Sequence, residues 1–143
     1  MQLSPRLAAI VNALPLWPGI RVLEIGCGPG VAAREIAKRI GNGYILGIDR
    51  SAKAIQQARK SALAGIAPGI LEFQQIAVED FKLPAGDPPF DLAFAVRVGA
   101  LDGRHPQLEQ QALANIAKAL TKTGRLFIDG SNPLKELSLL PYR

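Results

Sequence analysis

The sequence predicts an α/β protein, a parallel sheet covered by helices on both faces. Short, almost wholly apolar runs (RVLEIG at 21–26, YILGID at 44–49, FDLAFAV at 90–96) alternate with stretches whose apolar residues recur at helical spacing. That alternation marks strands buried on both sides and joined by right-handed helical crossovers. The glycines and acids that interrupt it fall just after the runs. These are the carboxyl ends of the strands, where open sheets of this class hold their ligands.

The 143 residues, 48% of them hydrophobic, suffice for one domain over 1–143 and would leave two domains too small to bury a core. Within it the sequence divides into an N-terminal helical segment (1–18), a core (20–130) and a tail (131–143). No apolar run approaches the ~18–20 residues that span a bilayer. The first fifteen residues have helical spacing rather than a secretory layout. One cysteine allows no internal disulfide, which fits a cytoplasmic protein. The net charge is +5, but the 17 Lys and Arg are scattered and aromatics make up only 6%, so the footprint of a nucleic-acid binder is missing. No His/Cys/Asp/Glu grouping suggests a metal.

Each element has its local cause. Ser4 and Pro5 are an N-cap and first-turn signal, after which Leu7, Ile10, Val11 and Leu14 share a helical face until Pro15 and Pro18 end it. Strand 21–26 follows, then a helix over 31–40 through Ala32, Ile36 and Ile40, stopped by Gly41. After strand 44–49, Ser51 caps a helix carrying Ile55, Ala58 and Ala62. Residues 69–76 form a third strand with weaker patterning, and 90–96 a fourth. A helix over 106–121 runs through Leu108, Ala112, Ile116 and Leu120; Thr123-Gly124 makes a turn into a fifth strand, RLFIDG at 125–130. The tail is expected to begin a short helix at Pro133.

The first strand ends in VLEIGCGPG, with glycines at 26, 28 and 30 around Cys27 and Pro29. Glycines there let the chain bend sharply and approach a ligand closely. Glu24 precedes them on a central strand, where a buried carboxylate costs several kcal/mol unless paired. A negative charge at that point repels a pyrophosphate and suits a ligand that carries positive charge.

These residues resemble motif I of the class I S-adenosylmethionine-dependent methyltransferases, whose cofactor carries an ammonium and a sulfonium. The resemblance covers roughly residues 20–130 and implies a Rossmann-like sheet in the order 3-2-1-4-5. It implies that Glu24 helps hold the methionine amino end and that Gly26, Cys27, Gly28, Pro29 and Gly30 wrap the methionyl and ribose portions. GIDRS (47–51) is similar to motif II, placing Asp49 on the ribose hydroxyls and Arg50 against the adenine. IAVEDFKLP (76–84) is similar to motif III, but its second position is Ala77, so only backbone contacts from Ala77 and Val78 carry over. Glu79 and Asp80 fit better as N-terminal acids of a helical turn. FDLAFAVRVGALDG (90–103) is similar to motif IV, with Asp91 opening the strand and Val96 and Arg97 ending it beside the cofactor.

S-adenosyl-L-methionine is therefore the expected cofactor, and methyl transfer by in-line displacement the expected reaction. It requires alignment more than a particular catalytic group. In the loop 97–105, His105 is the candidate base and Arg97 the candidate partner of a substrate or cofactor carboxylate. A small-molecule acceptor is expected ahead of RNA or protein. Two further readings stay open: a cofactor-binding or scaffolding module with an incomplete acceptor site, and an NAD-dependent oxidoreductase. The latter would want GxGxxG and no acid at 24, whereas Val31 directly follows the third glycine.

The family's usual strands six and seven are absent from the expected pattern. That would leave strand five as an exposed apolar edge, covered by the tail, paired with a second copy in a homodimer, or open because the chain is a fragment.

Overall fold

The structure, a computed structural model, describes residues 2–62 and 66–143; Met1, the first residue of the N-terminal segment, lies outside it. One six-stranded sheet runs in the order β3-β2-β1-β4-β5-β6. Its parallel part consists of β1 (Arg21–Ile25), β2 (Tyr44–Asp49), β3 (Leu71–Gln75), β4 (Phe90–Ala95) and β5 (Leu120–Asp129), and β6 (Leu134–Leu137) is antiparallel to β5. The expected order of the first five strands is thus the observed one.

Alternation along each central strand sends residues to two apolar layers. Val22, Ile45, Leu92 and Phe94 face one side, where they meet Ile10 and Val11 of α1 (Pro5–Ala13), Ala33 and Ile36 of α2 (Val31–Ala37), and Ile55 and Ala58 of α3 (Ala52–Ser61). Leu23, Ile25, Ile48, Ala93 and Ala95 face the other, against Ala112, Ile116 and Ala119 of α4 (Pro106–Ala119). The Ser4 hydroxyl caps α1 by accepting from the Leu7 N–H at 3.2 Å, and Ser51 caps α3 by accepting from Ala54 N–H at 3.1 Å. The weak pattern of β3 follows from its edge position: of its five residues only Phe73 is buried.

Three expectations are corrected. Thr123-Gly124 is not a turn: α4 stops at Ala119, and β5 begins at Leu120 and runs through to Asp129. Pairing with β4 passes from Phe90↔Leu120 to Leu92↔Arg125, so two steps of β4 span five of β5, an irregularity that bulges the strand. A Cβ at Gly124 would lie 2.8 Å from Leu120 Cβ, which explains a glycine in the bulge.

The tail does not start a helix at Pro133, and the sheet has a sixth strand where none was expected. Unpaired N–H and C=O groups along β5 are satisfied by β6, with Leu126 opposite Leu137 and Ile128 opposite Lys135. The Arg125 guanidinium donates across the pair to Glu136, with Nη2 2.8 Å from Oε1, and Gly130 N–H donates to Pro133 O at 2.6 Å. The outer edge of β5 is thus covered by tail residues Leu134–Leu137.

Candidate functional site

At the carboxyl ends of β1, β2 and β4, a cleft with a volume of about 240 Å³ opens on the α4 side of the sheet. Its floor is Ile25, Gly26 and Ile48. Asp49 and Arg50 come from the end of β2, and Ile76, Ala77, Val78 and Glu79 from the segment after β3. The loop after β4 supplies Arg97, Val98, Gly99, Ala100, Arg104 and His105, and Leu108 belongs to α4.

The glycine loop is pinned by hydrogen bonds from within the chain. The N–H groups of Gly26 and Cys27 both donate to Ile48 O, at 2.8 and 3.0 Å, and Pro29 O accepts from Arg34 Nη1 at 2.8 Å. Gly30 (φ +82) opens α2 so tightly that a Cβ would sit 2.7 Å from the Phe73 ring. Gly28 (φ +54) is the opposite case: among the described residues nothing lies within 4 Å of where its Cβ would be. Its lack of a side chain serves open space rather than packing.

Asp49 ties this loop to β2. One carboxylate oxygen accepts from Gly28 N–H and the other from Ser51 N–H, both at 2.9 Å. Each oxygen keeps a further lone pair for a ligand hydroxyl. The Asp49 carbonyl meanwhile accepts from Ile76 N–H at 2.9 Å, bringing the third segment alongside.

Glu24 points to the α1–α3 side with Val22, is only 4% exposed, and its Oε1 has no hydrogen-bond partner among the described residues. Burial, reinforced by the nearby Asp49 charge, pushes its carboxyl up to about 8. Near neutral pH this group therefore carries a proton, and the standing negative charge expected at this point is absent. Burial, then the neighbouring Glu24 and Asp49 charges, also raises the Cys27 thiol, which leaves it unreactive.

Val78, Glu79 and Asp80 form a single 3-10 turn. Asn115, 3% exposed on α4, holds this turn: its Nδ2 donates to Glu79 O at 2.7 Å and to Val78 O at 3.3 Å. The sequence reading missed Asn115, although its place between Ala112 and Ala119 on the apolar face of α4 was a signal.

Arg97 has φ +57, the one positive φ outside glycine among the described residues. Its N–H donates to Asp129 Oδ1 at 3.0 Å, and its carbonyl accepts from Arg104 Nη2 at 2.6 Å. His105 is the N-cap of α4 and makes no side-chain capping bond; its ring lies where a side chain on Gly99 would collide with it. Gly26, Asp49, Arg50, Ala77, Val78, Arg97 and His105 thus share the cleft lining. Glu24, Cys27, Gly28, Pro29 and Gly30 lie outside that lining, with Glu24 and Cys27 buried. Val96 packs against the α1–α3 layer, and Val98, unpredicted, lines the cleft and comes within 2.6 Å of a Cβ placed on Gly26. No group of three or more potential metal ligands occurs among the described residues.

Residues 22–124 match the methyltransferase domain family model. An O-methyltransferase of Pyrenophora dematioidea is 34% identical over 83% of this chain and 42% of its own length. A trans-aconitate 2-methyltransferase of Methylobacterium nodulans is 31% identical over 92% of this chain and 46% of its own length. The crystal structure of a SAM-dependent methyltransferase from Thiobacillus denitrificans, in complex with S-adenosyl-L-homocysteine, superposes with a TM-score of 0.68 at 27% identity, covering 88% of this chain and 48% of that one. The chain spans less than half the length of these curated relatives.

Proposed function

The chain belongs to the methyltransferase domain family, and we propose that it binds S-adenosyl-L-methionine and transfers the methyl group to an oxygen of a small molecule. The observation that carries the reading is the buried, unpartnered Glu24 carboxyl beneath a loop whose Gly28 faces open space. An orphaned buried acid costs stability unless a ligand completes it, and the cofactor's ammonium is such a ligand.

The residues present fit the cofactor. Glu24, on the other side of the glycine loop from the cleft, would favour the ammonium end through the loop's backbone and a bridging water, Asp49 would take the two ribose hydroxyls through its free lone pairs, and Arg50 with the Ala77 and Val78 backbone the adenine. When bound, S-adenosyl-L-methionine supplies a methyl carbon activated by a sulfonium, which an acceptor oxygen takes by in-line displacement to leave S-adenosyl-L-homocysteine. Val98, Ala100 and Leu108 present an apolar wall that excludes competing water. His105, which lines the cleft, would take the proton of an acceptor hydroxyl. One relative's name, O-methyltransferase, supports an oxygen as the acceptor atom, and another's, trans-aconitate 2-methyltransferase, supports a small-molecule acceptor ahead of RNA or protein. We place the protein in the cytoplasm: its one cysteine is a buried free thiol, and no helix among the described residues is long and apolar enough to cross a membrane. A homodimer would use the outer edge of β6, since β5 is already paired on both sides.

Calorimetric titration with S-adenosyl-L-methionine, S-adenosyl-L-homocysteine and NAD tests the reading. Micromolar binding of the first two and none of NAD is expected. Asp49→Ala should weaken both by about 1–3 kcal/mol, as charge-assisted hydrogen bonds are lost. Binding of NAD alone, or unchanged affinity in Asp49→Ala, would overturn it, and cofactor binding with no methyl transfer to any acceptor pool would leave a binding module.

A further inference from the structure

Resting on that reading of the cleft, we propose that the acceptor carries a carboxylate and that Arg97 is the residue that recognises it. The strained backbone of Arg97 is held from two sides. Its N–H is on Asp129 and its carbonyl on Arg104, and Asp129 is itself fixed by Arg6 of α1, with Nη2 2.9 Å from Oδ2. A non-glycine residue kept at positive φ by its surroundings marks a side chain whose direction matters.

That side chain is a guanidinium with no hydrogen bond or ion pair among the described residues, exposed at the cleft rim. Its neighbour Arg104 lines the same wall but is already compensated, with Nε 2.9 Å from Asp102 Oδ2. The cleft's own acids, Asp49 and Glu79, enter from the β2 and β3 side, with β1 between Asp49 and the loop after β4. The wall that carries His105 therefore has one uncompensated positive charge. A planar guanidinium takes a carboxylate in a two-point fork, and on this wall, across from Arg50 at the end of β2, one unpaired cation matches one such group.

Carboxylates could reach Arg97 from two sources, the acceptor or the methionyl end of the cofactor, and the assay separates them. Citrate serves as a simple carboxylate probe, titrated by calorimetry at fixed ionic strength in chloride, with and without saturating S-adenosyl-L-homocysteine. The expected result is that citrate binds the loaded protein and that Arg97→Gln weakens it at least tenfold. Arg97→Lys should fall in between, and Arg125→Gln, remote on the β5–β6 surface, should change nothing. Affinity for S-adenosyl-L-homocysteine should move less than threefold in Arg97→Gln.

Three results overturn the proposal. The first is a protein that binds S-adenosyl-L-homocysteine and no citrate. The second is equal citrate affinity in wild type and Arg97→Gln. The third is a tenfold loss of S-adenosyl-L-homocysteine in Arg97→Gln with 5′-methylthioadenosine, which lacks the carboxylate, bound as before. Arg97-dependent citrate binding by a protein that ignores S-adenosyl-L-homocysteine would instead keep the carboxylate site and remove the methyl-transfer reading.

Discussion

Replacing Glu24 by glutamine should change the pH dependence of folding more than any other single surface or core exchange in the sheet. The carboxyl titrates near 8 in the folded chain, against 4.5 when free in solution. Between those values the native protein keeps a proton that the unfolded chain has lost. Stability from this group is therefore complete below about pH 4.5 and is lost as pH rises toward 8, at roughly 1.4 kcal/mol per pH unit. From pH 5 to pH 7 the wild type should lose roughly 2–3 kcal/mol more than Glu24→Gln, whose amide mimics the protonated acid and does not titrate. Urea unfolding of both proteins at pH 5, 6 and 7 measures this as a difference in midpoint at constant m-value, which cancels the other titrating groups. Parallel profiles would refute the reasoning and mean that Glu24 is charged and solvated in the folded state. A linked outcome concerns binding: an ammonium beside Glu24 favours its charged form, so cofactor binding near pH 7 should release a proton. Calorimetric enthalpies should then depend on the buffer's ionisation enthalpy.

Gly28→Val should abolish S-adenosyl-L-homocysteine binding at a fold cost of about 1–2 kcal/mol, because its Cβ meets open space but its φ of +54 disfavours a branched residue; normal binding would remove the loop from the site. Asn115→Ala should cost about 1–3 kcal/mol in urea unfolding, since it strips a donor from the Val78 and Glu79 carbonyls, and an unchanged midpoint would show that water replaces the amide. Deleting residues 134–143 removes β6 and exposes the edge of β5. Light scattering should then show self-association, and a clean monomer would show that the edge needs no cover.

Local signals carried the elements whose causes are local. Continuous apolar runs marked β1, β2 and β4, hydroxyl caps marked α1 and α3, and the glycine spacing with Asp49 at the end of β2 located the cleft. Where the reading failed, the deciding forces came from distant residues. Leu120 continues the apolar period of α4, yet pairing with Phe90 draws it into β5. Pro133 resembles a helix start, yet the unpaired edge of β5 takes the residues after it as a strand.

The sequence by itself determined the doubly covered parallel sheet and the ligand end of its strands, because burial pattern and turn chemistry are written in neighbouring residues. Only the tertiary structure decided that Glu24 holds a proton, that Asn115 carries the turn after β3, and that the Arg97 backbone is pinned while its guanidinium meets no partner among the described residues. Desolvation, long-range hydrogen bonds and backbone strain depend on which segments the fold brings together, and no window of sequence contains both partners.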